Sequence, residues 1–489
     1  MWTYISEQMQ KNLKSRVFDK NTSLSYSELI HLSKRHGEFI KGKVTEGTKC
    51  VIFCENELNT AIAILACWYA KLVPILVSPQ YGENHALSII NLMCPDFLIS
   101  DFLEGNEYAR VVYRIDNQTF EGIVRQCAIE EELSDVAVVM CTSGTTGSPK
   151  GTMITCEGLK ANIESIGKYF NIDNEDTIMI VRPLYHCSAL TGEFLLGLHK
   201  GADIYFFDGG YDPLRIIDAI KKQKVTAMCG TPTLFNHISK LLLLKNDELS
   251  IKAAISGECL TNMVAKNIRK AFSNSTLYNV YGLTEAAPRV SYLPADEFDE
   301  YPESVGIPLD KTDIKIVDVN NYSIKMSSGL SGMVLVKSPS IMKGYYKEEQ
   351  LSALALQNGW LVTGDIGYID EAGRLYIESR ADEMIIKGGM NIYPKEIEQT
   401  VLKLEDVNEC LVYGISSESG QEIGMDVVVK DNGKACTKIE LLKKIVEVLP
   451  SYQVPSQLNI VQEIPKNVSG KVMRMKNKLN IHKGGRGVN

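Results

Sequence analysis

The chain has 489 residues, too many for one simple core and suited to a large domain with a smaller one. Its formal charge of −8 is small for this length and carries no footprint for nucleic acid or an anionic membrane. Twelve cysteines without a paired CxxC knuckle, behind a polar start at Met1 with no secretory leader, favour reduced thiols and a cytoplasmic location.

Cys50 and Cys54 are separated by apolar residues, which suits a buried strand better than a metal site. The most apolar window, Ala61 to Val77, is interrupted by Lys71 and Pro74. It falls short of the roughly 20 apolar residues of a transmembrane segment, and predicts a helix followed by a strand. Short apolar runs at Val51–Phe53, Leu72–Val77, Ile178–Val181, Ile204–Phe207, Ala227–Cys229 and Ala253–Ile255 alternate with helix-length segments such as Leu214–Lys222. That alternation predicts α/β layering with largely parallel strands. From Gly306 to Ile377 the strand and turn signals crowd together, at Ile314–Val317, Met333–Val336 and Arg374–Ile377, and predict a β-rich subdomain. Further on, Pro394 opens a predicted helix over Lys395–Leu404, since proline is tolerated in the first turn.

The apolar run Val136–Met140 ends in Cys141-Thr142-Ser143-Gly144-Thr145-Thr146-Gly147-Ser148-Pro149-Lys150-Gly151. Glycines in such a loop let backbone N–H groups approach a polyphosphate, and the hydroxyls add donors. The common P-loop pattern fails, because Pro149 rather than glycine precedes Lys150. On its own such a stretch is more often an ordinary surface turn than a phosphate site.

Four further motifs follow in order: Tyr281-Gly282-Leu283-Thr284-Glu285; Thr363-Gly364-Asp365; Ser379-Arg380, leading to Lys387-Gly388-Gly389-Met390-Asn391-Ile392-Tyr393-Pro394; and Asn467-Val468-Ser469-Gly470-Lys471. With the loop, they resemble the adenylate-forming superfamily of acyl-CoA synthetases, adenylation domains and luciferases, from about Leu24 to Arg474. The resemblance implies a large N-terminal domain, 1–381, of layered α/β sheets plus the β-rich subdomain. A hinge at Asp382 and a small mobile α+β lid domain, 383–489, follow.

What the resemblance implies about chemistry is ATP-dependent activation of a carboxylic acid, with transfer of the acyl group to a thiol. Displacement of pyrophosphate at the α-phosphorus gathers negative charge and demands placed cations and N–H donors. Thr142, Ser143, Gly144, Thr145, Thr146, Gly147 and Lys150 would hold the β- and γ-phosphates. Thr284 would bond the α-phosphate and Glu285 would help hold Mg²⁺, which prefers hard oxygen ligands. Tyr281 is the face for adenine, with Gly282 and Asn279 counted among the nucleotide-binding residues, and Gly257 and Glu258 fall where the family lines the adenine pocket. Asp365 would accept bonds from the ribose hydroxyls and Arg380 would complete the ribose and phosphate contacts. Lys471 would bridge the reacting carboxylate and the α-phosphate. In the second half-reaction the Lys387-Gly388-Gly389 loop would flank the pantetheine arm of CoA, or of a carrier protein's phosphopantetheine.

Pro183-Leu184-Tyr185-His186 is similar to the form found in acyl- and aryl-CoA synthetases, which argues for a fatty or aryl acid over an α-amino acid, with His186 as a gate beside its carboxylate. Cys229 to Thr231, Ala286 and Ala287 are small or apolar and suit an uncharged acyl or aromatic tail. The leading expectation is an acid:CoA ligase; the alternative is a stand-alone enzyme that loads a carrier protein.

Overall fold

A computed structural model describes residues 1–77, 89–90, 92–93, 95, 97–101, 111–115, 119–122, 130–143, 149–387, 390–417, 420–430 and 437–465. The chain divides into two compact units, residues 1–314 with 335–362, and residues 315–334 with 363–489.

In the first unit, the run of parallel strands expected from sequence forms. Thr276–Gly282, Lys252–Ile255, Ala227–Gly230, Thr177–Ile180, Asp203–Phe206 and Arg16–Phe18 lie side by side in that order, all parallel. A second sheet is built around Lys49–Phe53, flanked in parallel by Val73–Leu76 and Phe97–Ser100. Because strand side chains alternate between faces, single strands feed two cores. Cys50 and Ile52 enter one apolar cluster while Val51 and Phe53 enter another. Ile178 and Ile180 share the first cluster, whereas Met179 points into a third. The first cluster therefore receives one face from each sheet, together with Ala61–Trp68 of helix Glu57–Tyr69, which is buried on nearly all sides. Burying each Leu or Ile side chain there contributes about 1.5–3 kcal/mol, which makes this shared layer the rigid support for both sheets.

Helix starts follow local chemistry. Asp212 accepts from the N–H groups of Leu214 and Arg215 and Pro213 occupies the first turn, so the helix expected at 214–222 runs Pro213–Lys222. Thr231 and Pro232 start Pro232–Leu244 in the same way. Among the described residues, no helix is long and apolar enough to cross a membrane.

The second unit holds the β-signals read at 314–377 in part, and a small α+β core. Residues 365–369 of strand Trp360–Ile369 pair with Leu375–Arg380, placing Asp365 opposite Arg380. Strands Val407–Ser417 and Gly420–Val429 form an antiparallel hairpin, and Gln457–Ile460 adds to it in parallel. Ile397, Val412, Met425, Ile445 and Leu458 fill the core beneath helices Pro394–Val401 and Lys438–Val448. The helix expected over 395–404 stops at Val401. Lys403 and Leu404 donate instead to carbonyls three residues back, at 3.2 and 3.1 Å, a tighter terminal turn.

Candidate functional site

The hydroxyl- and glycine-rich stretch is not a loop throughout, as its composition suggested. Strands Val136–Ser143 and Pro149–Thr155 pair in antiparallel register, with Cys141 opposite Gly151, Thr142 opposite Lys150 and Ser143 opposite Pro149. Only 144–148, holding Gly144, Thr145, Thr146 and Gly147, separate the strands, and they lie outside the described residues. Pairing wins because Thr142 and Ser143 continue a strand already anchored by Val138 to Met140, and Lys150 and Thr152 lie on the strand that pairs with it. Gly151 is needed for packing: a Cβ there would stand 3.0 Å from Val139 Cγ1 and 3.4 Å from Tyr346 Cβ.

The hairpin aligns a residue that sequence reasoning missed. Strand Gly344–Tyr345 pairs with it, Tyr345 opposite Thr152, and the Lys150 ammonium lies 5.6 Å from the centre of the Tyr345 ring. The Tyr345 hydroxyl donates to Glu285 Oε1 at 2.8 Å. Glu285 itself is held by a short helical turn, Thr284–Ala286, and its carbonyl accepts from Met342 N at 2.9 Å. Tyr345 thus brings Lys150 and Glu285 to one place. No composition signal marked it, since the Glu285 contact spans 60 residues of sequence.

The turn carrying Thr284 and Glu285 follows strand Thr276–Gly282. Gly282 admits no side chain, because a Cβ would lie 2.2 Å from the Pro288 carbonyl oxygen. We expect Gly282→Ala to displace the turn and destabilise the chain by about 1–3 kcal/mol, read as a lower urea midpoint; an unchanged midpoint would show that the backbone relaxes freely. Tyr281 is buried on the same strand, and Asn279 donates through Nδ2 to the Pro302 and Ser304 carbonyls at 3.0 and 2.9 Å. Asn279 therefore ties the strand to the 302–304 segment. Gly257 has a φ of +94°, a conformation that favours glycine. Its neighbour Glu258 accepts from Thr233 Oγ1 at 2.6 Å, at the start of helix Pro232–Leu244.

His186 packs beside Tyr185, with ring centres 4.4 Å apart and planes tilted by 39°. Burial, reinforced by Arg182, lowers its pKa to about 3, so the imidazole is neutral at physiological pH. The Leu184 N–H donates to Glu57 at 3.0 Å, which fixes the Pro183-to-His186 segment from a helix over a hundred residues earlier.

Behind Glu285 lies a buried charged cluster that no motif announced. Arg182 Nη2 stands 3.4 Å from Glu193 Oε1, Arg289 and Cys229 act on the same carboxylate, and Tyr169 lies against Arg289. Burial pushes Glu193 up to about 7, against the pull of Arg182 and Arg289. Between about pH 4.5 and 7 the folded chain therefore holds a proton here that the unfolded chain releases, and this contribution to stability is lost as pH rises through the folded value. The stability of Glu193→Gln minus that of the native chain should rise by roughly 1–3 kcal/mol across that window, measured by urea unfolding at several pH values. A flat difference would mean Glu193 stays ionised. His36 and His186, lowered to about 4 and about 3, act in both proteins and cancel in the difference.

In the second unit, Asp365 is buried and accepts from Arg380 Nη1 at 3.0 Å, while the same nitrogen donates to the Thr363 carbonyl at 3.1 Å. Gly364, with φ +73°, makes room for this guanidinium, whose Nη2 lies 3.1 Å from where a Cβ would be. Arg380 Nε also stands 3.9 Å from Asp382. Lys387 pairs with Glu422 at 2.9 Å. Gly388, Gly389 and Lys471 lie outside the described residues.

Residues 5–346 match the family model of the AMP-binding enzyme, and 396–471 that of the AMP-binding enzyme C-terminal domain. The chain is 33% identical over 344 residues to a long-chain-fatty-acid–CoA ligase of Bacillus subtilis strain 168, covering 70% of this chain but only 61% of that protein's length. It is 26% identical over 483 residues to the 2-succinylbenzoate–CoA ligase of Oceanobacillus iheyensis, covering 97% and 98% of the two chains. A solved structure of o-succinylbenzoate CoA synthetase from Bacillus subtilis, in complex with its acyl-adenylate intermediate, superposes with a TM-score of 0.84 at 25% identity, over 99% of this chain and 98% of that one.

Proposed function

We propose that this chain, which belongs to the AMP-binding enzyme family, is an acid–thiol ligase of the acyl-CoA synthetase type, using ATP to activate a fatty or aryl acid and passing the acyl group to CoA. The observation that carries the reading is the convergence of Lys150 and Glu285 on Tyr345, a cation and a carboxylate anchored on a hairpin and a turn of the same unit.

In the first step the acid's carboxylate oxygen attacks the α-phosphorus of ATP and the bond to pyrophosphate breaks, so the acid gains an AMP leaving group. Lys150, with the backbone and hydroxyls of residues 142–147, neutralises the outgoing phosphates; Thr284 donates to the α-phosphate. Glu285 fits a magnesium ion. Tyr345 occupies Oε1, and among the described residues Oε2 has no hydrogen bond, which leaves a hard anionic ligand of the kind Mg²⁺ shares with phosphates. When bound, that ion supplies charge neutralisation at the phosphates. Tyr281, Gly282, Gly257 and Glu258 hold the adenine, with Asn279 bracing the strand beneath, and Asp365 with Arg380 takes the ribose. The neutral His186 stands at the acid's carboxylate without adding a competing charge. Lys471 stabilises the transition state.

In the second step the thiolate of CoA attacks the acyl carbon and AMP leaves. Asp382 is the hinge between a domain of residues 1–381 and a lid of 383–489, and Lys387, Gly388 and Gly389 line the thiol channel. The CoA ligases among the relatives favour CoA over a carrier protein, and the reduced-cysteine reading favours the cytoplasm. The test is acid-dependent conversion of ATP to AMP over a panel of fatty, aryl and amino acids, with and without CoA, products read by mass spectrometry. Acyl-CoA formation is expected; acyl-AMP that accumulates and ignores CoA would overturn the acceptor, and no AMP with any acid would overturn the activity.

A further inference from the structure

Arg289 lies two residues beyond Ala287, and its backbone is clamped by Asn162, which donates from Nδ2 to the Arg289 carbonyl at 2.9 Å and accepts from Arg289 N at 3.2 Å. The residue is 3% exposed. Its guanidinium lies over Gly192, Nη2 being 3.4 Å from where a Cβ would stand. Gly192 belongs to a π-helical segment, Leu190–Leu195, a geometry that costs hydrogen-bond quality and recurs at functional sites.

The cluster is not electrically closed. Arg182 and Arg289 are permanently charged, while burial keeps the Cys229 thiol and the Tyr169 phenol protonated, each pushed up to about 12. Glu193 is the carboxylate set among them, and its Oε1 faces Arg182; Glu285, the next acid, is taken by Tyr345. Among the described residues Arg289 forms no ion pair. Four buried polar atoms here, Arg182 Nε, Arg289 Nε, Glu193 Oε2 and Tyr169 Oη, lack a hydrogen-bond partner. A purely structural salt bridge closes its donors, because an unpaired buried charge costs several kcal/mol. Two guanidiniums against one carboxylate leave one positive charge in excess, beside Cys229, which was read as a wall of the acid pocket.

We propose that Arg289, backed by Tyr169 and the Arg182–Glu193 pair, reads the far end of the acid, and that the substrate is an acyl or aryl acid carrying a second carboxylate remote from the one activated. This rests on the acid-activating reading and narrows its substrate class. The apolar residues named from sequence hold the body of the acid, and Arg289 its end.

The test measures binding and chemistry separately on the full chain. Calorimetry compares straight-chain and aryl dicarboxylic acids with monocarboxylic acids of matched length, on the native protein, Arg289→Met, Arg289→Lys and Gly192→Ala; acid-dependent pyrophosphate–ATP exchange is run in parallel. The native chain should bind one dicarboxylate about 10- to 100-fold tighter than its matched monoacid, the order of a charged hydrogen bond. Arg289→Met should erase that preference, Arg289→Lys restore part of it, and Gly192→Ala weaken the dicarboxylate alone by crowding the guanidinium. Equal binding of both classes, or equal weakening of both by Arg289→Met and Gly192→Ala, overturns the proposal. An Arg289-dependent preference without exchange supports this pocket and overturns the ligase reading. Exchange with monoacids that Arg289→Met leaves unaltered does the reverse.

Discussion

Glu285→Gln is expected to lower the rate of acyl-adenylate formation by roughly 10²–10³-fold, the range lost when one preorganised electrostatic group is removed from a transition state. The substitution keeps the shape of the side chain, and its amide oxygen can still accept from the Tyr345 hydroxyl that lies 2.8 Å from Oε1. What disappears is the negative charge that suits a hard divalent ion. The dependence on magnesium should therefore shift to higher concentration, while the urea midpoint stays close to that of the native chain. A variant that adenylates at the native rate would remove Glu285 from the chemistry. Loss of activity together with a collapse in stability would mean that its carboxylate braces the 284–286 turn and serves no ion.

Lys471→Ala should have an effect of similar size on the first step and spare the second. Lys471 closes Asn467-Val468-Ser469-Gly470-Lys471, which ends the span matched by the C-terminal family model. An ammonium between an attacking carboxylate and the α-phosphate meets charge that peaks in the transition state, and its loss costs about 3–4 kcal/mol. Conversion of acid and ATP to AMP should fall by the corresponding factor. Thioester formation from a supplied acyl-adenylate and CoA should continue, since no phosphate charge develops there. Equal loss in both assays would show that one arrangement of the chain serves both half-reactions.

Much of this protein is legible in one dimension. The apolar runs at 51–53, 178–181, 204–207 and 227–229 became strands, because their β-branched and apolar residues can bury both faces of a sheet. The helix-length segment at 214–222 formed as helix Pro213–Lys222. The five motifs likewise carry their chemistry in residue type and local spacing, so the adenylate-forming resemblance needed no coordinates.

Tertiary structure decided what comes together. Tyr345 joins Lys150 to Glu285 from another strand, and Glu57 holds Leu184 from a helix over a hundred residues away. Neither position differs in sequence from an ordinary core tyrosine or a surface glutamate. The same holds for Arg182, Glu193 and Arg289, each of which in sequence is one more charge on a chain of mixed charges. Burial gives them their meaning: taken out of water, a guanidinium must be paired or left waiting for a partner. Local spacing determines which residues can do chemistry, because side-chain type and backbone conformation are short-range properties. Which of them share a dry, charged pocket depends on how sheets and helices pack, and that is settled only when the chain is closed on itself.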